Sequence, residues 1–182
     1  MKKYNCIFLD RDGTLNLDPP PGYISSLKDF KFFDGALNSL KKISEQGIVF
    51  CIITNQSGVS RGLIRIENLK IIHKYIEEQF KRLSIPLLGI YFCKDLPDKS
   101  TFRRKPNAGM FLEAKKNHNL DLEKCLMVGD SKVDIIAGSN LGMDTMLVLT
   151  GNGNETLKLL DKDSQPSFIA KDLNHGAEIL CN

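Results

Sequence analysis

Long apolar runs, paired cysteines and a surplus of one charge are missing from this chain, and each absence excludes something. The longest unbroken apolar run, Ile48 to Ile53, is far too short to cross a bilayer. The basic start, Met1-Lys2-Lys3-Tyr4-Asn5, is followed only by Cys6-Ile7-Phe8-Leu9 before Asp10, which is no signal-peptide core. The five cysteines (Cys6, Cys51, Cys93, Cys125, Cys181) lack paired spacing, and most lie in or beside apolar runs, as buried reduced thiols do. A cytoplasmic monomer without disulfides or membrane attachment is expected. The formal net charge of +3 is too small to demand nucleic acid or an anionic surface. Repeats, low-complexity tracts and linkers are missing too. With 182 residues of ordinary globular composition, one domain over residues 1–182 is expected.

What is present is an alternation of strand and helix patterns. Cys6 to Leu9 reads as a short buried strand, stopped by Asp10-Arg11-Asp12-Gly13-Thr14. The loop Leu15 to Asp34 contains Pro19-Pro20-Pro21, which forbid regular structure there, and is long enough to be functional. A helix over Gly35 to Gln46 puts Leu37, Leu40 and Ile43 on one face and ends at Gly47. Ile48 to Ile53 has the continuous apolarity of a parallel strand covered on both faces, and gives way to Thr54-Asn55-Gln56-Ser57-Gly58. In Ile66 to Leu83, apolar residues recur at steps of three and four, predicting the longest helix. His73 within it is expected to be a partly exposed helix residue rather than a ligand, since no second His or Cys sits four residues away.

Leu87 to Phe92 is the third strand, and the charged loop Lys94 to Asn107 leads to a helix over Gly109 to His118. Cys125 to Val128 is the fourth strand, ending in Gly129-Asp130-Ser131. Ser131 is placed to cap a short helix through Leu141, with Asp134 in its first turn. Thr145 to Leu149 is a fifth strand, Thr150 to Gln165 a polar loop with room for a helical turn, Phe168 to Ala170 an edge strand and Leu173 to Cys181 a closing helix. Such alternation predicts an α/β fold, a Rossmann-like three-layer domain with a parallel sheet. The segments between Asp12 and Thr54, and between Phe92 and Arg103, leave no room for a large cap domain. Loops 17–33, 57–65 and 94–104 are therefore expected to cover the site.

A parallel sheet brings its strand ends to one edge, where ligands bind. Asp10 and Asp12, then Thr54 and Asn55, then Lys105 and finally Asp130 with Asp134 would converge there. Two carboxylates as close as Asp10 and Asp12 repel unless positive charge lies between them. The chemistry such a group supports is phosphoryl transfer. A carboxylate attacking a phosphate dianion needs Mg²⁺ and a lysine to offset the repulsion. Asp10 and Asp130 offer the one or two carboxylates that Mg²⁺ takes alongside water and phosphate. Asp10 would attack phosphorus, Asp12 would move the proton, and Thr54 and Asn55 would donate to phosphate oxygens.

Asp10-Arg11-Asp12-Gly13-Thr14, Thr54, Lys105 and Gly129-Asp130 with Asp134 resemble the four motifs of the haloacid-dehalogenase-like (HAD) phosphohydrolases, over roughly Tyr4 to Leu149. The resemblance implies that Asp10 is the nucleophile and Asp12 the general acid/base, with Thr54 and Lys105 binding the phosphoryl group. It also implies that Asp10, Asp130 and the backbone carbonyl of Asp12 hold Mg²⁺. An acid at position 12 is similar to the phosphatases of the superfamily rather than its ion pumps.

A narrower likeness exists. Gly22-Tyr23, Thr54-Asn-Gln-Ser-Gly-Val59, Arg61-Gly62 and Arg104-Lys-Pro-Asn-Ala-Gly-Met110 resemble the D,D-heptose 1,7-bisphosphate and histidinol-phosphate phosphatase group. That implies a small phosphorylated substrate, with Arg104 contacting it. Many members carry a Cys/His zinc loop before the Arg-Lys-Pro element. Here the segment Cys93 to Arg103 has one Cys and no His, so zinc is not expected and the loop must be ordered otherwise.

The expected substrate is a heptose 1,7-bisphosphate losing its 7-phosphate. Arg61, Arg65, Lys99, Arg103 and Arg104 supply more positive charge than one phosphate requires. Histidinol phosphate is the alternative, for which Asp18, Asp95 and Asp98 could form an acidic rim. A phosphoacceptor signalling module would place its acceptor Asp after the third strand rather than the first. A nucleic-acid-end phosphatase would need aromatic stacking beside its arginines, and none accompanies them.

Overall fold

The computed structural model describes residues 4–18 and 22–181. Six strands form one all-parallel sheet: β1 (Cys6–Leu9), β2 (Val49–Asn55), β3 (Leu87–Cys93), β4 (Cys125–Gly129), β5 (Asp144–Val148) and β6 (Phe168–Ala170), in the order β3-β2-β1-β4-β5-β6. The helices are α1 (Ala36–Ser44), α2 (Ile66–Arg82), α3 (Gly109–His118), α4 (Lys132–Asn140), α5 (Gly153–Leu159) and α6 (Leu173–Cys181).

Strands β1 and β4 are buried along their whole length, which is why they read as unbroken apolar runs. Alternate side chains feed two cores. Ile7, Leu9, Phe50, Ile52, Leu126 and Val128 pack with α1, α2 and α6 on one face. Cys6, Phe8, Cys51, Ile53, Cys125 and Met127 pack with α3 and α4 on the other, with Phe8 edge-on to Phe111 at 5.2 Å between centroids. The period of two along each strand divides these residues, and helices on both faces give the predicted three layers.

Three expectations change in detail. His73 is buried rather than partly exposed. It lies four residues after Leu69 and three before Ile76, so the helical period puts it inside the buried stripe of α2. The segment read as a polar loop from Thr150 to Gln165 contains the full helix α5. The loop Leu15 to Asp34 holds a one-turn 3₁₀ segment, Leu27–Asp29, and Asn16 bridges to Phe32. The expectation about Pro19-Pro20-Pro21 lies outside the described residues. Between β1 and α1, and between β3 and α3, the described residues form turns and single 3₁₀ turns, with no cap domain. No helix among the described residues is long and apolar enough to cross a membrane.

Candidate active site

Sheet register builds the site. Leu9 is level with Ile52 on β2 and Val128 on β4, so Asp10 emerges beside the ends of both strands. Its N–H donates to Val128 O at 2.9 Å. The chain then turns at Gly13 (φ +79°), where a Cβ would stand 2.3 Å from Asp130 Oδ2. Only glycine allows both that backbone and the close approach of Asp130. Asp10, Asp12, Asp18, Tyr23, Thr54, Asn55, Gln56, Arg104, Lys105, Asp130 and Asn152 are among the residues lining a cleft of about 240 Å³ at this edge.

Lys105 is the electrostatic centre. Its buried ammonium lies 2.9 Å from Asp10 Oδ1 and 2.6 Å from Asp134 Oδ1, and donates to Ile53 O at 2.7 Å. Burial works against its charge, but the two carboxylates outweigh it and hold the ammonium above the usual lysine range. Asn55 fixes its backbone: Oδ1 accepts from Lys105 N and Nδ2 donates to Lys105 O, each at 3.1 Å. The Asn55 carboxamide thus holds Lys105 with Oδ1 and one Nδ2 proton, and the other Nδ2 proton is left for the donation to phosphate expected from sequence.

Asp134, expected in the first turn of α4, does two things. Oδ2 accepts from Ser131 N and Oγ in a capping box, while Oδ1 takes the ion pair with Lys105. A Cβ at Gly129 would stand 2.4 Å from this carboxylate, so β4 must end in glycine.

Asp10, Asp130 and Asp134 each offer an oxygen within 4.8 Å of the others, forming the one such cluster among the described residues. Burial pushes Asp10 up to about 7, against the pull of Lys105. Burial, then Asp10 and Asp134, push Asp130 up to about 8, although Asn152 N donates to Asp130 Oδ2 at 2.7 Å. Fully ionised, the three carboxylates would exceed the one ammonium by two negative charges. An oxygen-seeking divalent cation fits that imbalance. Asp134 is turned to Lys105 and the cap of α4, whereas Asp10 and Asp130 both line the cleft.

Asp12 faces different partners. Arg11, Asn16 and Gln56 all donate to its carboxylate. Burial opposes its charge, but Arg11 and these hydrogen bonds outweigh it and hold Asp12 below the usual carboxylate range. Thr54 Oγ1 accepts from Gln56 Nε2 at 2.9 Å. Asp10 and Asp12, two residues apart, thus occupy opposite electrostatic surroundings.

Of the expected substrate-binding residues, Arg104 lines the cleft and Arg61 does not: it is exposed on the turn after β2. Segment 57–65 contributes no lining residue. Arg103 is spent on Phe92 O (3.0 Å) and Glu113, and Arg65 faces Glu67. The surplus of arginine read from sequence therefore narrows to Arg104 at the cleft itself.

The loop before it is ordered by hydrogen bonds. Asp95 Oδ2 accepts from Thr101 N and Oγ1, Asn107 Nδ2 donates to Thr101 O, and Arg104 Nη1 donates to Asp95 O at 2.8 Å. Sequence reasoning passed over Arg11, Asn16, Gln56 and Asn152. An arginine between two site acids was the one available signal, since a buried carboxylate needs a nearby cation.

The HAD-hydrolase-like family model matches residues 102–176. A D-glycero-beta-D-manno-heptose-1,7-bisphosphate 7-phosphatase of Helicobacter pylori is 38% identical over 157 residues, covering 86% of this chain and 90% of that protein. A D-glycero-D-manno-heptose-1,7-bisphosphate 7-phosphatase of Thermosynechococcus vestitus is 35% identical, covering 96% and 94%. The solved D,D-heptose 1,7-bisphosphate phosphatase of B. bronchiseptica, complexed with magnesium and phosphate, superposes with a TM-score of 0.87 at 30% identity, covering 97% of each chain. With a three-layer fold, a carboxylate–lysine site at its sheet edge and relatives of this identity and coverage, the chain belongs to the heptose 1,7-bisphosphate 7-phosphatase family of HAD-like hydrolases.

Proposed function

We propose that this protein removes the 7-phosphate of D-glycero-D-manno-heptose 1,7-bisphosphate, with Mg²⁺ as cofactor and without structural zinc. The observation that carries the reading is Lys105 Nζ, held 2.9 Å from Asp10 Oδ1, with Arg104 next to it in sequence and on the cleft wall. Arg11 N and Lys105 both engage Asp10 Oδ1, so Oδ2 is the oxygen available to attack. Its bond to phosphorus forms as the bond to the sugar oxygen breaks; Asp12, ionised in the free site, takes up a proton from solvent as the substrate dianion binds and gives it to that oxygen. Asp12, now a carboxylate, takes a proton from the water that attacks the aspartyl-phosphate, which releases inorganic phosphate and restores Asp10. Thr54 and Lys105 receive the phosphoryl oxygens. Bound Mg²⁺, held by Asp10, Asp130 and the Asp12 carbonyl, would neutralise charge on the phosphoryl group.

The 1-phosphate is the natural partner for Arg104, whose planar guanidinium grips phosphate at two points. Histidinol phosphate is the second reading, favoured by Asp18 on the cleft wall. Steady-state kcat/KM on both substrates decides between them. A higher value for the bisphosphate is expected, and a higher value for histidinol phosphate would overturn the substrate assignment. Activity should cease on chelation and return with Mg²⁺ alone, and elemental analysis should find no stoichiometric zinc.

A further inference from the structure

Arg11 is the largest fully buried side chain described, at 0% exposure. Burying a guanidinium is costly unless its donors are matched. Here they are. Nε donates to Asp12 Oδ1 at 2.9 Å and Nη2 to Oδ2 at 2.6 Å, a two-point grip on one carboxylate. Asn16 Nδ2 adds a 3.0 Å bond to Oδ1, and Gln56 Nε2 a 2.7 Å bond to Oδ2. Each Asp12 oxygen therefore takes two donors.

The guanidinium is itself held from behind. Nη2 donates to Gln56 Oε1 at 3.2 Å, and Nη1 lies 3.4 Å from His73 Nε2. The His73 ring packs edge-on against Phe92, 5.4 Å between centroids. Gln56 also donates to Thr54 Oγ1 at 2.9 Å, which ties this assembly to the phosphoryl-binding threonine.

We propose that Arg11, locked by Gln56 and His73, is a positioning residue for proton transfer: its fork fixes the plane of the Asp12 carboxylate relative to the leaving oxygen. The inference rests on Asp12 being the general acid of the proposed reaction. With both oxygens doubly bonded, Asp12 can carry a proton only where one donor gives way, and the fork then holds the other oxygen. As the phosphorus–oxygen bond breaks, the departing alkoxide takes that proton from a carboxyl of fixed direction. A lysine would supply charge without setting a plane.

The test uses leaving groups. A sugar alkoxide needs the proton, whereas 4-nitrophenolate leaves without one. Because kcat/KM reports only the steps up to loss of the leaving group, it isolates this proton transfer from hydrolysis of the aspartyl-phosphate. Asp12→Asn should lower kcat/KM for the heptose bisphosphate by about 10²-fold or more relative to 4-nitrophenyl phosphate. Arg11→Met should lower the same ratio by about tenfold or more, Arg11→Lys by less, and Arg11→Met should add nothing in the Asp12→Asn background. If Asp12→Asn lowers the ratio and Arg11→Met leaves it unchanged, the role of Arg11 is overturned. If Asp12→Asn itself leaves the ratio unchanged, the general-acid reading fails instead. Should Arg11→Met not fold, Arg11→Lys decides alone: a lowered ratio supports the proposal and an unchanged one overturns it.

Discussion

Asn55 and Lys105, fifty residues apart, are joined by two hydrogen bonds that use both ends of the Asn55 carboxamide on one backbone unit. The end of β2 thereby fixes where the buried ammonium rises into the site. Asn55→Ala should lower kcat by about 10- to 100-fold through displacement of Lys105, since a misplacement of this kind costs on that order. It should also lower stability by about 1–3 kcal/mol, the cost of leaving buried backbone groups unpaired. Kinetics and urea unfolding on the same preparation check both. Unchanged kcat would mean that Lys105 is held without Asn55.

Asp10→Asn should abolish turnover while leaving the fold intact, because the amide cannot attack phosphorus. In the metal-free protein it should also raise the melting temperature at pH 8. Burial and two neighbouring acids act against the Asp10 charge, with Lys105 opposing them only in part. Thermal unfolding in chelator reads the second effect, and a marked fall in melting temperature would contradict it.

The raised values of Asp10 and Asp130 also predict a pH dependence. Each binds its proton more tightly when folded, from the ordinary carboxylate value of 3.8 to about 7 and about 8 respectively. The folded state therefore holds more protons across that window, and stability falls as pH rises through it. Below the ordinary value the contribution is fully present; above about 8 it is lost. Asp12, shifted the other way, acts only at the acid end, where its contribution is lost as pH falls. The melting temperature of chelated protein should decline from about pH 5 to pH 8, and saturating Mg²⁺ should remove most of that slope. A stability that rises with pH in chelator would refute the assignment of these buried charges.

Arg104→Ala should reduce kcat/KM for the bisphosphate far more than for 4-nitrophenyl phosphate, by about 2–4 kcal/mol in transition-state terms. The motivation is its place on the cleft wall while the other arginines of the neighbouring loops lie elsewhere. Equal losses on both esters would mean that Arg104 serves only the transferred phosphoryl group.

The sequence by itself determined the layers and the edge. Burial on both faces requires continuous apolar strands, so Cys6–Leu9 and Cys125–Gly129 announced themselves, and the 3.6-residue period announced α2. Asp10, Asp12, Thr54 and Asp130 were legible because each stands at or just beyond the end of a strand, and a parallel sheet brings those ends together; Lys105, well past the end of β3, was legible only from the Arg-Lys-Pro element of the loop that follows. Only the tertiary structure decided how the polar groups divide among partners. Arg11 could have met water; strand register and the approach of α2 bury it with Gln56 and His73 instead, and turn the half-buried Asp12 to its guanidinium. Asn55 lines the cleft, and the return of the chain at position 105 takes its Oδ1 and one of its two Nδ2 protons. Arg61 could have faced substrate; the turn after β2 carries it outside the cleft. Periodicity reports which face of an element is covered. It does not report which donor meets which acceptor across the fold, because that is set by register, rotamer and the competition of every buried polar group for a partner.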